Sequence, residues 1–376
     1  MIHQHATLLG PPFRADHVGS LLRPASLLAA RAARDEGRLD ASGLRLAEDE
    51  AIAEAVRLQE DLGFALATDG ELRRRTWHMD FLYQLEGIEP GDEALRIDFR
   101  NSAGDVSFAS AAPVVAAPVR LGETIFGKDF SYLSSVVTTA VPKLTIPSPS
   151  MLHYRAGTAA VTGSVYGDLD AFFADLALAY ADELRRLHAL GCRYLQLDDT
   201  SLAYLNDPAQ RALLEARGDD PVALHRRYIA VLNAALAGRP EDLTVTVHLC
   251  RGNYRSSWAA EGGYDYVAED LFGGLDVDGF FLEYDDARSG DFSPLRFVRD
   301  DQRVVLGLVS SKRRALEDKD ELKRRVDEAS AFVPLDQLCL SPQCGFSSTV
   351  EGNELTVDDE IAKLRLVSET AAEIWG

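Results

Sequence analysis

A (β/α)8 barrel is the fold this sequence predicts, and three observations predict it. Strand-length apolar or β-branched runs alternate with longer stretches of helical period through most of the 376 residues. Eight such runs occur, whereas a doubly wound sheet would usually stop near six. The residues just past each run are strongly polar, as expected where a barrel gathers its functional groups.

The strands are expected, in order, at Phe13 to Val18, Phe64 to Thr68, Lys143 to Ile146 and Tyr194 to Leu197, then at Leu243 to Leu249, Gly279 to Tyr284, Arg303 to Val309 and Leu338 to Leu340. Helices are expected at Leu44 to Leu62, Leu169 to Leu190, Pro221 to Leu236, Asp320 to Phe332 and Val357 to Trp375. Each carries apolar residues three and four apart, as Ile361, Leu364, Val367 and Ile374 do on the last. Asp168 reads as the N-cap of the second helix, and Gly191 closes it just before the next strand. From about Gly87 to Ala140 the rhythm breaks. Gly, Pro and Ala mix there with alternating apolar residues (Ile97-Asp-Phe, Val106-Ser-Phe), which predicts a β-hairpin insertion. The domain reading is therefore one barrel over residues 1–376, with an insertion over about 87–140.

With 46% hydrophobic and 26% charged residues, the composition is that of a globular protein. A balance of 39 basic against 60 acidic residues gives a formal charge of -21, which repels phosphate backbones and anionic lipid surfaces. Neither nucleic acid nor a membrane is an expected partner. No apolar run approaches the ~20 residues of a membrane span, and Met1 to Ala6 lacks the layout of a signal peptide. A cytoplasmic location is expected. Four cysteines are too few for a disulfide framework, so in a reducing compartment they remain thiols or bind metal.

The polar residues at strand ends are Asp16, His17 and Ser20; Asp69 and Glu71; Ser148 and Ser150; Asp198 and Asp199; His248 and Cys250; Glu283 and Asp285; Ser310 and Ser311; and Cys344. His248 and Cys250 are alternate residues of an extended segment and share a face. With a second thiolate from Cys344 and a carboxylate from Glu283 they make a four-ligand set suited to tetrahedral Zn2+. Cys192 and Cys339 lie inside strands, where a thiol usually fills the core. Arg73-Arg-Arg75 is the densest basic cluster, and reads equally as a solvated face or as a local anion site.

Val245-Thr-Val-His-Leu-Cys250, Phe281-Leu-Glu283 and Ser341-Pro-Gln-Cys-Gly345 resemble, in order and spacing, the zinc-ligand segments of the cobalamin-independent methionine synthase family, in its carboxyl-terminal catalytic barrel. His17-Val-Gly-Ser20, Thr68-Asp-Gly-Glu-Leu-Arg73 and Gln196-Leu-Asp-Asp199 match as well, so the chain is similar to a short, single-barrel form. The resemblance implies zinc on His248, Cys250, Glu283 and Cys344. It implies homocysteine held through its amino and carboxylate groups by Ser20, Glu71 and Asp198, and a methyl donor of the 5-methyltetrahydrofolate class. The product would be methionine.

One departure stands out. Where the long enzymes carry a histidine after the seventh strand, which would protonate the departing folate, this chain reads Gly307-Leu-Val-Ser-Ser-Lys312. A serine hydroxyl at 310 or 311 is a poor general acid at neutral pH, which leaves His17, His78 and His153 as candidate proton donors. Other donors, or another thiol such as coenzyme M, are the alternative enzyme readings. A zinc-carrying binding protein is the non-enzyme reading, disfavoured because structural zinc sites are normally closed and local in sequence.

Overall fold

The computed structural model describes residues 10–101, 104–161, 163 and 165–376, so Met1 to Ala6 lie outside the described residues. The strands, in chain order, are β1 (Leu66–Ala67), β2 (Glu86–Asn101), β3 (Gly104–Arg120), β4 (Val141–Pro147), β5 (Tyr194–Asp199), β6 (Thr244–Leu249), β7 (Gly279–Glu283), β8 (Arg303–Val309) and β9 (Leu338–Pro342). Seven of them form a curled parallel sheet in the order β1-β4-β5-β6-β7-β8-β9. Every residue of β5 is buried, which is why it reads as a near-continuous run and not as an alternation.

The eighth barrel position, expected at Phe13 to Val18, is filled by an extended segment with a single parallel bridge, Ala15 to Leu340 on β9. Its backbone groups are satisfied mainly by side chains. The Asp16 carboxylate accepts from the backbone N–H of Phe13 (3.2 Å) and of His17 (2.8 Å). Lys143 on β4 donates to the His17 carbonyl (2.6 Å), and Gln196 on β5 to that of Val18 (2.6 Å). On its far side Thr68 Oγ1 donates to the Gly19 carbonyl at 2.7 Å, joining the segment to the end of β1. Polar side chains filling the barrel thus supplement the two backbone hydrogen bonds to Leu340, because buried backbone groups need partners of some kind. Lys143 and Asp16 form a fully buried ion pair at 2.9 Å.

The helices agree with the expected punctuation. Asp168 accepts from Ala171 N (2.9 Å) and opens the helix Leu169–Ala189, and Gly191 leaves it at φ +101°. The last helix, Val357–Trp375, starts in a capping box between Thr356 and Asp359. Among the described residues, no helix is long and apolar enough to cross a membrane.

The hairpin expected within 87–140 is β2 against β3, paired from Glu86–Arg120 to Asn101–Gly104, and the helix Gly127–Val136 lies between β3 and β4. The end of β2 reaches the loop after β6 at the barrel mouth. There Arg100 N donates to the Trp258 carbonyl (2.8 Å), Trp258 N donates back (3.0 Å), and Asn101 Nδ2 donates to Ser257 Oγ (2.8 Å).

Two buried acids make stability pH-dependent. Burial raises both Glu183 and Glu360 to about 8 from 4.5, and each accepts one backbone N–H, from Ile125 and Leu22 respectively. A carboxyl raised on folding binds its proton more tightly when folded. Its contribution is therefore complete below the unfolded value and is lost as pH rises towards 8. Glu183→Gln and Glu360→Gln are expected to raise Tm relative to wild type by a margin that grows between pH 5 and pH 8. A margin that is flat or shrinks over that range would mean that these carboxyls are ionised in the folded protein.

Candidate functional site

The carboxyl end of β6 places His248 and Cys250 on one face, and Cys344 arrives from the loop after β9. One ligand atom from each lies within 4.8 Å of the others, and all three residues are buried. The two sulfurs stand 3.3 Å apart as free thiols. Contact with Cys344, and then burial, pushes the Cys250 thiol well above its ordinary pKa. Neither nitrogen of the buried His248 ring has a hydrogen-bond partner. An unpartnered imidazole facing two touching thiols is costly by itself, and a soft-ligand metal ion such as Zn2+ would satisfy all three groups.

Glu283 is not brought into this group. Its carboxylate accepts from Arg251 N (2.8 Å) and pairs with Arg288 (2.7 Å) and Lys312 (3.3 Å). Burial would raise its pKa, but Lys312, Arg288 and Arg251 hold it well below the usual carboxylate range. Arg251 itself is fully buried. It reaches the carbonyls of Gly262 (2.6 Å), Gly263 (3.0 Å) and Glu283 (3.0 Å), tying the loop after β6 to the end of β7.

A second group faces the first. Glu71 stands after β1 with φ +56°, a left-handed conformation unusual outside glycine, with its N–H held by Asp69 at 2.9 Å. Glu71 Oε1 accepts from Thr145 (2.8 Å), while the buried Oε2 has no hydrogen bond. Asp198, at the end of β5, accepts from Gln196 at 2.7 Å. Burial raises Asp198 to about 7; Glu71 adds to the rise, and His248 and Arg74 oppose it. Ser20 Oγ accepts from Ser347 N at 3.3 Å. Arg23 binds these loops together through the carbonyls of Ser347, Glu71 (3.0 Å) and Arg74 (3.1 Å). Sequence reasoning missed Arg23 and Arg251, since an arginine that serves carbonyls has no motif.

Both groups line one pocket. Ser20, Glu71, Asp198, His248, Cys250 and Cys344 all face it. Ile97, Phe99 and Phe108 from the hairpin form part of its wall with Trp77, Tyr204 and Tyr254. Phe99 and Phe108 each pack on Tyr254 with ring centroids 5.4 Å apart. The alternation that predicts the hairpin thus also supplies an aromatic cover, a role the sequence alone did not disclose.

The family model described as the catalytic domain of cobalamin-independent synthase matches residues 13–372. This chain belongs to the cobalamin-independent methionine synthase family. It is 47% identical over 368 residues to YxjH of Bacillus subtilis (strain 168), an uncharacterized protein, covering 97% of this chain and 95% of that one. Its structure is similar to the crystal structure of the putative vitamin-B12 independent methionine synthase of Listeria monocytogenes, with TM-score 0.77, 37% identity and coverage of 97% and 98%. A B12-independent methionine synthase from Shewanella sp. W3-18-1, in complex with selenomethionine, shares the fold at TM-score 0.72 and 19% identity, with coverage of 96% and 97%.

The remaining candidates take their places within this methionine synthase fold. His17 does not line the pocket; its ring packs edge-on against Phe64, and burial with Lys143 lowers it to about 3. His153 is spent in the core, with Nδ1 on Tyr228 OH (2.8 Å) and Nε2 on Thr158 Oγ1 (3.0 Å), and burial lowers it to about 4. His78 does line the pocket, stacked on Trp77 at 4.4 Å, but burial and then Arg155 lower it well below its ordinary value. All three are neutral near pH 7 and are poor acids there. Ser310 and Ser311 are buried beside the pocket, and the Ser311 hydroxyl lies on Gln343 Oε1 (2.7 Å) and the Gly345 carbonyl (2.9 Å).

The anion-site reading of Arg73-Arg-Arg75 is not supported: Arg73 pairs with Asp49 and Asp129, Arg74 with Glu71, and Arg75 with Asp35. Cys192 and Cys339 are buried thiols raised to about 12 by desolvation.

Proposed function

We propose that this methyltransferase of the methionine synthase family methylates the thiol of homocysteine to give methionine, with zinc held by His248, Cys250 and Cys344 and with Glu283 beside them. The observation that carries the reading is the meeting, in one pocket, of a two-thiol and imidazole group with two carboxylates and a serine. The zinc would lower the pKa of a bound thiol, so that a thiolate nucleophile exists at neutral pH.

The chain's own groups supply the rest. Glu71 Oε2 and Asp198 bind the substrate ammonium, and Ser20 with its neighbouring backbone N–H groups holds the carboxylate. Glu283 would be the fourth, displaceable ligand to such an ion; its pairs with Arg288 and Lys312 hold the carboxylate beside the site when it does not bind. The aromatic cover of the hairpin excludes water and holds the donor methyl against the sulfur. In the transfer, the sulfur–carbon bond forms as the methyl–donor bond breaks, and the electron pair stays on the departing atom. A methyl-folate is the donor the resemblance implies, and its N5 must take up a proton. Coenzyme M is the poorer acceptor, since its sulfonate would face two carboxylates.

The test is methionine formation by zinc-replete protein from homocysteine, with mono- and polyglutamylated methyl-folates compared with a methyl-corrinoid. Metal-dependent methionine formation is expected, and turnover of another thiol in preference to homocysteine would overturn the assignment. Gly345→Ala probes the serine separately, because a Cβ there would sit 1.9 Å from Ser20 Oγ and 3.3 Å from Ser20 N. It is expected to weaken homocysteine about tenfold or more through the displaced hydrogen bonds, with zinc retained. Unchanged affinity by calorimetry would remove Ser20 from the binding site.

A further inference from the structure

Arg155 lines the pocket from the helix Ser150–Ala156 and is 8% exposed. Among the described residues no carboxylate pairs with it. Its Nη2 makes a long hydrogen bond to Thr200 Oγ1 (3.4 Å), its Nε makes none, and its guanidinium lies 5.7 Å from the centre of the Tyr154 ring. The other arginines around the pocket are spent: Arg74 on Glu71, Arg288 on Glu283, and Arg23 and Arg251 on carbonyls. A guanidinium buried without a counter-ion is costly, and an anionic ligand would offset that cost. The fork geometry of arginine suits a carboxylate.

The helix of Arg155 comes after β4, and Thr200 after β5, whereas Cys344 comes after β9. In the order β1-β4-β5-β6-β7-β8-β9, closed by the first segment, β4 and β5 lie across the mouth from β8 and β9. Under the function proposed above, on which this inference rests, the amino-acid carboxylate belongs at Ser20. We propose that Arg155 anchors a carboxylate of the methyl donor, across the mouth from the Cys344 side and next to the aromatic cover. Two donor classes carry this group: a folate, through its glutamate, and a small zwitterion whose methyl sits on a sulfonium or quaternary ammonium centre. The second class needs no proton on departure, because the electron pair of the broken bond neutralises the onium centre.

Binding by calorimetry, independent of turnover, tests the anchor. The probes are p-aminobenzoylglutamate and glycine betaine, each against its amide, on zinc-replete wild type, Arg155→Gln and Arg155→Lys. Wild type is expected to prefer at least one acid over its amide by about tenfold or more; Arg155→Gln should lose that preference and Arg155→Lys keep part of it. Zinc content and homocysteine affinity should be unchanged in both variants, and the Tm of Arg155→Gln should not fall. The acid that binds names the donor class. The proposal is overturned if wild type prefers neither acid, or if the preference survives in Arg155→Gln. A parallel loss of homocysteine affinity would also overturn it, by placing the amino-acid carboxylate at Arg155. Failure of methionine formation with intact Arg155-dependent acid binding would count against the function proposed above and leave the anchor standing.

Discussion

Cys250→Ser and Cys344→Ser are each expected to cost this protein most of its zinc. The two sulfurs and the His248 ring approach one another within 4.8 Å, and Glu283 is engaged elsewhere, so removing one sulfur leaves a site with two close donors. Partners that only orient a metal ligand are worth 10- to 100-fold in affinity, so a lost ligand should exceed about 100-fold. Folding should survive, because serine is close in size and neither cysteine is in a disulfide. Metal analysis after dialysis against a chelator checks this. Full zinc retention in both variants would place the metal elsewhere and remove the proposed origin of the nucleophile.

The second large effect is expected at the acidic side of the pocket. Asp198→Asn and Glu71→Gln keep shape and remove charge, and each loses one charge-assisted hydrogen bond to the substrate ammonium. At about 1.5 to 3 kcal/mol each, homocysteine should bind roughly 10- to 150-fold more weakly. Zinc should stay, since neither residue is in the metal-capable group. Asp198 and Glu71 interact, so the double variant should depart from additivity. Homocysteine affinity unchanged in both single variants would show that the amino acid binds elsewhere.

Much of the architecture was legible because its signals are local. The β6 and β8 runs, the Asp168 cap and the Gly191 exit each depend on a few neighbouring residues, and the structure places them as expected. The segment 13–18 was legible as extended but not as short of a full ladder, because the side chains that complete its hydrogen bonding, Lys143 and Gln196, stand more than a hundred residues away. The partners of Glu283 stand nearer in sequence, but no local pattern shows that their side chains turn towards it. A carboxylate at a strand end reads as a ligand, and nothing local in the sequence shows the Arg288 and Lys312 that pair with it. His153 looked available for the same reason, and Tyr228 and Thr158 take both its nitrogens. The aromatic cover was missed because the alternation of Ile97, Asp98 and Phe99 reveals a hairpin face but not what that face lies against.

The proposed function requires this pocket to bind the substrate sulfur as a thiolate at neutral pH. A free thiol of ordinary pKa, about 8.5, is almost wholly protonated at pH 7, so binding it as thiolate must release its proton. Titrating homocysteine into zinc-replete protein at pH 7, in buffers of different ionisation enthalpy, measures that proton directly. About one proton should be released per homocysteine bound, with the release absent in Cys250→Ser; homocysteine binding to the zinc-replete wild type with no proton release would contradict thiolate binding.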